Sequence, residues 1–347
     1  MKHSKQHLNG CIVSIVLGCA GLAPAVAHAD SVADFYRDKT LNLVVAHEAG
    51  TGFDVYSRVL QRFYGRHIPG NPNVVVQNMP GASGITSTNW LYNIAPKDGT
   101  VLGTASNNVP LEPLFGNTAA RFDPGKMNWI GNMEESSPVC GVSPASGIKT
   151  FEDLRRQETV FGATGGTGPL VVSSLAIKAL LGAKLKIISG YKGSASVKLA
   201  IMNGEVTGIC GLPMSTIKSF WRDEYQSGKF KPVIQLSGPR SPELAGIAHA
   251  DDFIKTDEDR QVFGLIFGSQ ALGRTYSAPP GVPAERVEAL RKAFMDTMAD
   301  KEFLADAEKT QIDIVPMDGE KVAARWAGYA ATPKPIVDRV FAIMTGR

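Results

Sequence analysis

Leu43-Val44-Val45-Ala46-His47-Glu48-Ala49-Gly50-Thr51-Gly52-Phe53-Asp54-Val55-Tyr56-Ser57-Arg58 decides how the rest of the chain is read. Leu43 to Val45 is a short β-branched run that reads as a buried strand, and it stops at a loop with two glycines. A helix follows: Tyr56, Val59, Leu60 and Phe63 recur at helical spacing, and Gly65 is placed to end it. Thr51 with Asp54 three residues on is a capping-box pattern, which predicts that the helix starts inside the loop. The first turn of a helix has unpaired N–H groups and a partial positive charge, and glycines beside it let an anion approach the backbone. The stretch therefore predicts a small anionic ligand held mainly by backbone rather than by a cationic side chain. The plainer alternative is a strand–loop–helix connection with nothing bound.

Working outward, the same device recurs. Val74-Val75-Val76 is a second strand, and Asn78-Met79-Pro80-Gly81-Ala82-Ser83-Gly84 opens the next helix. Lys97-Asp98-Gly99-Thr100 turns into Val101-Leu102-Gly103-Thr104, a third strand ending at Ser106-Asn107-Asn108. Strands and helices alternating at short intervals predict parallel α/β layering, in which ligands bind beyond the carboxyl ends of the strands. The loops starting at His47, Asn78 and Ser106 all belong to that edge, so Ser106 and Asn107 are expected to line a pocket. A second unit begins near Cys140. There Thr159-Val160-Phe161 leads into Gly162-Ala163-Thr164-Gly165-Gly166-Thr167-Gly168-Pro169 and then an apolar-faced helix through Val172, Leu175, Ala176, Ala179 and Leu180. Two glycine–threonine loops in separate lobes can grip one ligand from both sides. Further on, Ile187-Ile188 reads as a strand before the loop Ser189 to Ser194, Asp257 to Phe267 reads as a helix, and Ala278-Pro279-Pro280-Gly281-Val282-Pro283 as a rigid linker.

The amino terminus reads as a processing signal. Lys2 and Lys5 precede an apolar run from Cys11 to Ala23, and Ala27-His28-Ala29 supplies a small-x-small cleavage site before Asp30. Residues 1–29 are thus a secretory signal peptide, with lipid anchoring at Cys19 the lesser alternative. The formal charge of the whole chain is +3, and the charges are scattered without a basic stripe, which argues against nucleic-acid binding. Of four cysteines, two fall in the signal segment. The remaining pair, Cys140 and Cys210, favours a disulfide in an exported protein, with two buried free thiols the alternative.

Catalytic readings fare poorly. His47-Glu48 resembles the start of a zinc-protease helix motif, but the second histidine is missing and glycine interrupts any helix. Ser-x-x-Lys occurs at Ser146/Lys149, Ser189/Lys192 and Ser215/Lys218, which shows how cheap the pattern is, and its companion motifs are absent. The glycine loop at 162–168 has neither dinucleotide-binding nor phosphate-loop spacing. No enzyme, metal or cofactor is expected.

The motifs together resemble the substrate-binding proteins of the tripartite tricarboxylate transporter family, the TctC or Bug type. The residues that carry the resemblance are Val44 to Arg58, Asn78 to Gly84, Pro96-Lys97-Asp98-Gly99-Thr100, the Gly162 to Gly168 loop, Tyr191-Lys192-Gly193, Asn203-Gly204-Glu205-Val206 and Ala278 to Pro283. They run in the family's order over nearly the whole mature chain. The resemblance implies an α/β two-lobe periplasmic-binding-protein (Venus flytrap) fold, each lobe a mainly parallel sheet flanked by helices, with the ligand in the cleft between them. Residues 30–137 plus 238–347 are expected to form lobe 1 and 138–237 lobe 2. The function implied is capture of a small carboxylate-bearing organic acid and its delivery to the membrane permease subunits of such a transporter, by a monomer. The alternative is a periplasmic sensing subunit that presents its ligand-bound form to a signalling receptor.

In that family the carboxylate is held by the loops matching Ala49 to Asp54 and Thr164 to Thr167, largely through backbone N–H groups and waters. The candidate ligand-binding set is therefore His47, Ala49, Gly50, Thr51, Gly52, Phe53, Asp54, Ser83, Ser106, Asn107, Thr164, Gly165, Gly166, Thr167 and Tyr191. Asp54 could instead serve only as a first-turn cap paired with Arg58, and Tyr191 could pack under its own loop. His47-Glu48 and Phe53 depart from the family pattern, which leaves the identity of the acid open.

Overall fold

The computed structural model describes Met1 and residues 31–165 and 168–346. The signal-peptide reading and the candidates Gly166 and Thr167 lie outside the described residues. Within them, twelve strands form two six-stranded sheets. The strands are β1 (Thr40–Val45), β2 (Asn73–Asn78), β3 (Val101–Thr104), β4 (Asn128–Asn132), β5 (Pro138–Val142), β6 (Thr159–Thr164), β7 (Leu185–Tyr191), β8 (Gly208–Pro213), β9 (Lys231–Gln235), β10 (Ala248–His249), β11 (Thr275–Ala278) and β12 (Met317–Asp318).

The first sheet has the order β12-β4-β11-β3-β1-β2 and the second β10-β9-β5-β8-β6-β7. In the first, β1 lies parallel between β2 and β3, with Leu43 opposite both Val76 and Leu102. Strand β11 inserts antiparallel between β3 and β4, pairing Ser277 with Gly103 and Thr275 with Asn132. In the second, β6 is parallel to β7 and β8, while β5 runs antiparallel to β8 and β9. The two-sheet α/β architecture is the one the sequence predicts: most strands of each sheet run the same way, with a few reversed members that make both sheets mixed. The reversed members are β11 and β12 in the first sheet and β5 in the second, and β5 and β11 are the first strands formed after the chain passes from one sheet to the other. Cys140 lies opposite Cys210 in the β5–β8 register, and a disulfide joins them.

Local sequence explains the elements that carry the cleft. The helix Gly52–Tyr64 buries Tyr56, Val59, Leu60 and Tyr64, one helical face, against the first sheet. The helix Pro169–Leu181 is apolar nearly all round because it is covered by the second sheet on one side and by the helices Asp257–Ala271 and Lys334–Thr345 on others. Strand β7 continues through Tyr191, past the point where its sequence predicts a loop. Ala278, expected to open a linker, instead closes β11 with its side chain buried. The helix at Asp257 runs on to Ala271 because Leu265, Ile266, Phe267 and Ala271 continue its buried contacts.

Candidate functional site

The carboxyl ends of β1, β2 and β3 bring three loops together, as parallel neighbours must. Asn78, at the end of β2, donates from Nδ2 to the His47 carbonyl at 3.0 Å and to Asp54 Oδ1 at 2.9 Å. Asp54 also accepts the Gly50 N–H at 2.9 Å and Arg58 Nε at 2.8 Å. Only 2% of it is exposed. The Arg58 hydrogen bond, opposed by burial and aided by the Gly50 and Asn78 donors, holds its carboxyl down to about 2. The capping box expected for Thr51 and Asp54 does not form. Arg58 and Asn78 draw the carboxylate to the Gly50 N–H, and the Thr51 hydroxyl donates to the Glu48 carbonyl at 2.8 Å instead. Asp54 thus fixes the loop, while Gly50 supplies the left-handed turn it needs (φ +82°). Ala49 and Glu48 are exposed, and Glu48 is not among the residues lining the cleft.

Above that loop three side chains form a stack. The His47 and Phe53 rings lie parallel, 3° apart in plane and 4.1 Å between centroids. The Arg274 guanidinium sits 4.5 Å from the Phe53 centroid and 4.8 Å from that of Tyr56. Gly52 makes room for it: a Cβ there would meet an Arg274 terminal nitrogen at 2.9 Å. His47 Nε2 is 2.8 Å from Ser106 Oγ, a nucleophile–base spacing. Its Nδ1, however, is buried with no hydrogen-bond partner among the described residues. Burial, with Arg274 adding to it, lowers the ring to about 4, so it is a poor base near neutral pH.

The second sheet offers the matching edge. Thr164 ends β6, and Thr164, Gly165 and Gly168 face a cleft of about 610 Å³, a size suited to a small organic ligand. From the first sheet the same cleft is lined by Phe53, Ser106, Asn107, Glu134 and Arg274. Of the sequence candidates, Phe53, Ser106, Asn107, Thr164 and Gly165 share this lining. His47 stands behind Phe53, Asp54 beneath the loop. Ser83 falls in a short 3-10 turn, Ala82–Gly84. Tyr191 also lies outside it and directs its hydroxyl at Glu205, 3.4 Å away.

Arg274 and Glu134 are the charged groups that sequence reasoning misses. Glu134, 3% exposed, accepts from Ser215 Oγ at 2.9 Å on one carboxylate oxygen. Its other oxygen is 3.8 Å from Arg274, too long for a hydrogen bond. Arg274 donates to the Gly273 carbonyl at 2.6 Å, and its Nε is buried without a partner among the described residues. A guanidinium held by ring faces at the cleft wall brings positive charge to where an anion can meet it. Among the described residues no group of three or more His, Cys, Asp or Glu is placed to hold a metal ion, and no helix is long and apolar enough to cross a membrane.

Comparison with known proteins agrees with this geometry. The family model described as tripartite tricarboxylate transporter family receptor matches residues 59–340, beginning just after the departing first loop. A Cupriavidus necator protein described as a UPF0065 protein in the gbd 5′ region is 25% identical over 335 residues, covering 94% of this chain and 95% of its own. Among solved structures, a TctC solute-binding protein from Polaromonas superposes with a TM-score of 0.69 at 18% identity, over 88% of this chain and 99% of its own. MatC from Rhodopseudomonas palustris, with bound malate, superposes at 0.57 and 16% identity, over 88% of this chain and 99% of its own. At such identities the solved structures speak to the fold alone.

Proposed function

The chain belongs to the tripartite tricarboxylate transporter receptor family, and on that premise we propose that it is a periplasmic solute receptor for a small carboxylate-bearing organic acid. The observation that carries the reading is the cleft itself: strand-end loops from both sheets line it, and the Arg274 guanidinium stands at its wall. The malate in the related MatC structure supports the carboxylate class. In this reading residues 1–29 direct export, and 30–137 with 238–347 form one lobe and 138–237 the other, except that β10 (Ala248–His249) extends the second lobe's sheet beyond the expected boundary. The acid is held by Phe53, Ser106, Asn107, Arg274 and the Thr164–Thr167 loop, and the loaded monomer is presented to membrane permease subunits. Closure follows from contacts that only a ligand bridging both lobes completes.

A thermal-shift panel tests it, on chain refolded to remove carried-over ligand. An acid at a hundred times its dissociation constant should add about 2.7 kcal/mol of stability. Stabilisation by an acid but not by its amide is the expected outcome. Stabilisation by neutral compounds alone sinks the carboxylate reading. Co-purification with a permease, rather than with a signalling receptor, is the expected result for the transport role.

A further inference from the structure

We infer that the first sheet binds a water in a small cavity beside the ligand cleft, where it links Thr104 at the end of β3 to Trp326 on the helix Gly319–Ala330 and so braces the cleft wall. The site is separate from the cleft and does not depend on what the receptor carries.

The argument begins with two polar atoms. Thr104 is 4% exposed and Trp326 2%, yet Thr104 Oγ1 and Trp326 Nε1 are buried with no hydrogen-bond partner among the described residues. A polar group buried in this way gives up its hydration for nothing, and native folds satisfy nearly all such groups. Valine has the shape of threonine, so packing alone does not call for the Thr104 hydroxyl. The neighbouring indole shows the usual outcome. Trp129 stacks on Trp326 with 5.5 Å between ring centroids, and its own Nε1 donates to the Pro124 carbonyl at 3.1 Å.

The second observation is that Thr104 and Trp326 line one cavity, of about 30 Å³. Leu91, Phe122, Met127 and Leu272 make much of its wall, and Ser277 of β11 brings a further hydroxyl. A bound water needs about 10–15 Å³ and two to four polar partners. Organic ligands fill pockets of roughly 300 Å³ or more. The space therefore suits water and excludes an organic ligand. Hydrogen-bond direction agrees: an indole N–H only donates, so the water accepts from Trp326 and keeps its protons for hydroxyl acceptors such as Thr104.

Its position gives the water a role. Ser106 and Asn107 line both this cavity and the ligand cleft, so the two spaces meet at that stretch of chain. Ser106 is tied to His47 at 2.8 Å, and Asn107 donates to the Gln270 carbonyl at 2.9 Å. The water adds a tie from Thr104, two residues earlier, to a helix near the end of the chain.

A crystal structure of the unaltered chain, fine enough to show ordered solvent, tests the site. Density for a water within about 3.2 Å of both Thr104 Oγ1 and Trp326 Nε1 is the expected result. A dry cavity, density too large for water, or a direct Thr104–Trp326 hydrogen bond overturns the inference. Thr104→Val and Trp326→Phe, singly and together, then measure the link by denaturant titration. Each alone should shift the folding equilibrium at least about tenfold, and the pair by less than the product of the two. A shift equal to the product overturns the bridge. Hydrogen exchange reads the brace, through the Ala46 amide that donates to the Thr104 carbonyl at 3.0 Å. In Thr104→Val it should quicken more than the amides of the second sheet, and an equal change in both overturns the bracing role. Should a variant fail to fold, the crystal structure of the unaltered chain still decides.

Discussion

His47 is half-buried against Phe53 and beside Arg274, and its ring stays neutral to about 4 in the fold against an ordinary 6.5. The unfolded chain therefore binds a proton that the folded chain refuses between those values. Stability supplied by the neutral ring is complete above about pH 6.5 and is lost as the pH falls towards 4. Denaturant titrations at pH 7 and pH 5 should show that loss, and His47→Gln should flatten it; equal slopes in both proteins would contradict the burial argument. Gly52 makes a second residue-scale prediction. Gly52→Ala puts a methyl group against Arg274, so ligand affinity should fall by about tenfold as the guanidinium shifts. Folding stability should hold or rise by up to about 1 kcal/mol, since Gly52 occupies an ordinary helical position. Lost affinity with unchanged stability would mark Arg274 as the anchor. The sequence makes the loop at 47–54 legible, because Gly50, Gly52 and the helical period after them are local signals. Arg274 is not legible, because it reaches that loop from the far end of the chain and nothing around Gly273 marks it.

At the scale of elements, the β5–β8 pair carries the disulfide between Cys140 and Cys210, 70 residues apart in sequence. Constraining a loop of that length in the unfolded chain is worth roughly 4 kcal/mol in the chain-entropy model. Reduction, or replacement of both cysteines by alanine, should lower the melting temperature by about ten degrees. Melting in the presence and absence of a reductant measures this directly, and an unchanged midpoint would show that the strand pairing is sufficient alone. The elements that sequence reading misses share a physical cause. Asn128–Asn132 and Thr275–Ala278 are short, and both are buried on two faces, so neither shows the alternation that identifies a strand. The helix Lys334–Thr345, by contrast, has Ile336, Val337 and Val340 on one buried face, a pattern present in the sequence. Its place at the cleft wall is a matter of tertiary packing.

For the molecule as a whole, the two sheets are tied outside the cleft as well as across it. Lys218, on the helix after β8, donates to Asp313 Oδ1 at 2.9 Å, and Asp313 belongs to the segment leading into β12. Both side chains are over a third exposed, so the pair is worth at most about 1 kcal/mol. Asp313→Ala should therefore speed ligand release by up to about fivefold without touching the cleft. Stopped-flow dissociation reads that change, and an unaltered rate would mean the contact is indifferent to closure.

The position of β11 has a consequence for how the chain is made. It joins β3 to β4 in the middle of the first sheet, yet it is synthesised after every strand of the second. Until Thr275 to Ala278 arrives, β3 and β4 present open edges to one another with no partner between them. The second sheet, built from one continuous stretch, can meanwhile complete its ladder from residues already in hand. The first sheet is thus the late-closing part of the molecule, and its waiting edges are the natural place for a chaperone to hold or for aggregation to begin. Pulsed hydrogen exchange during refolding should protect the amides of β5, β6 and β8 before those of β3 and β4.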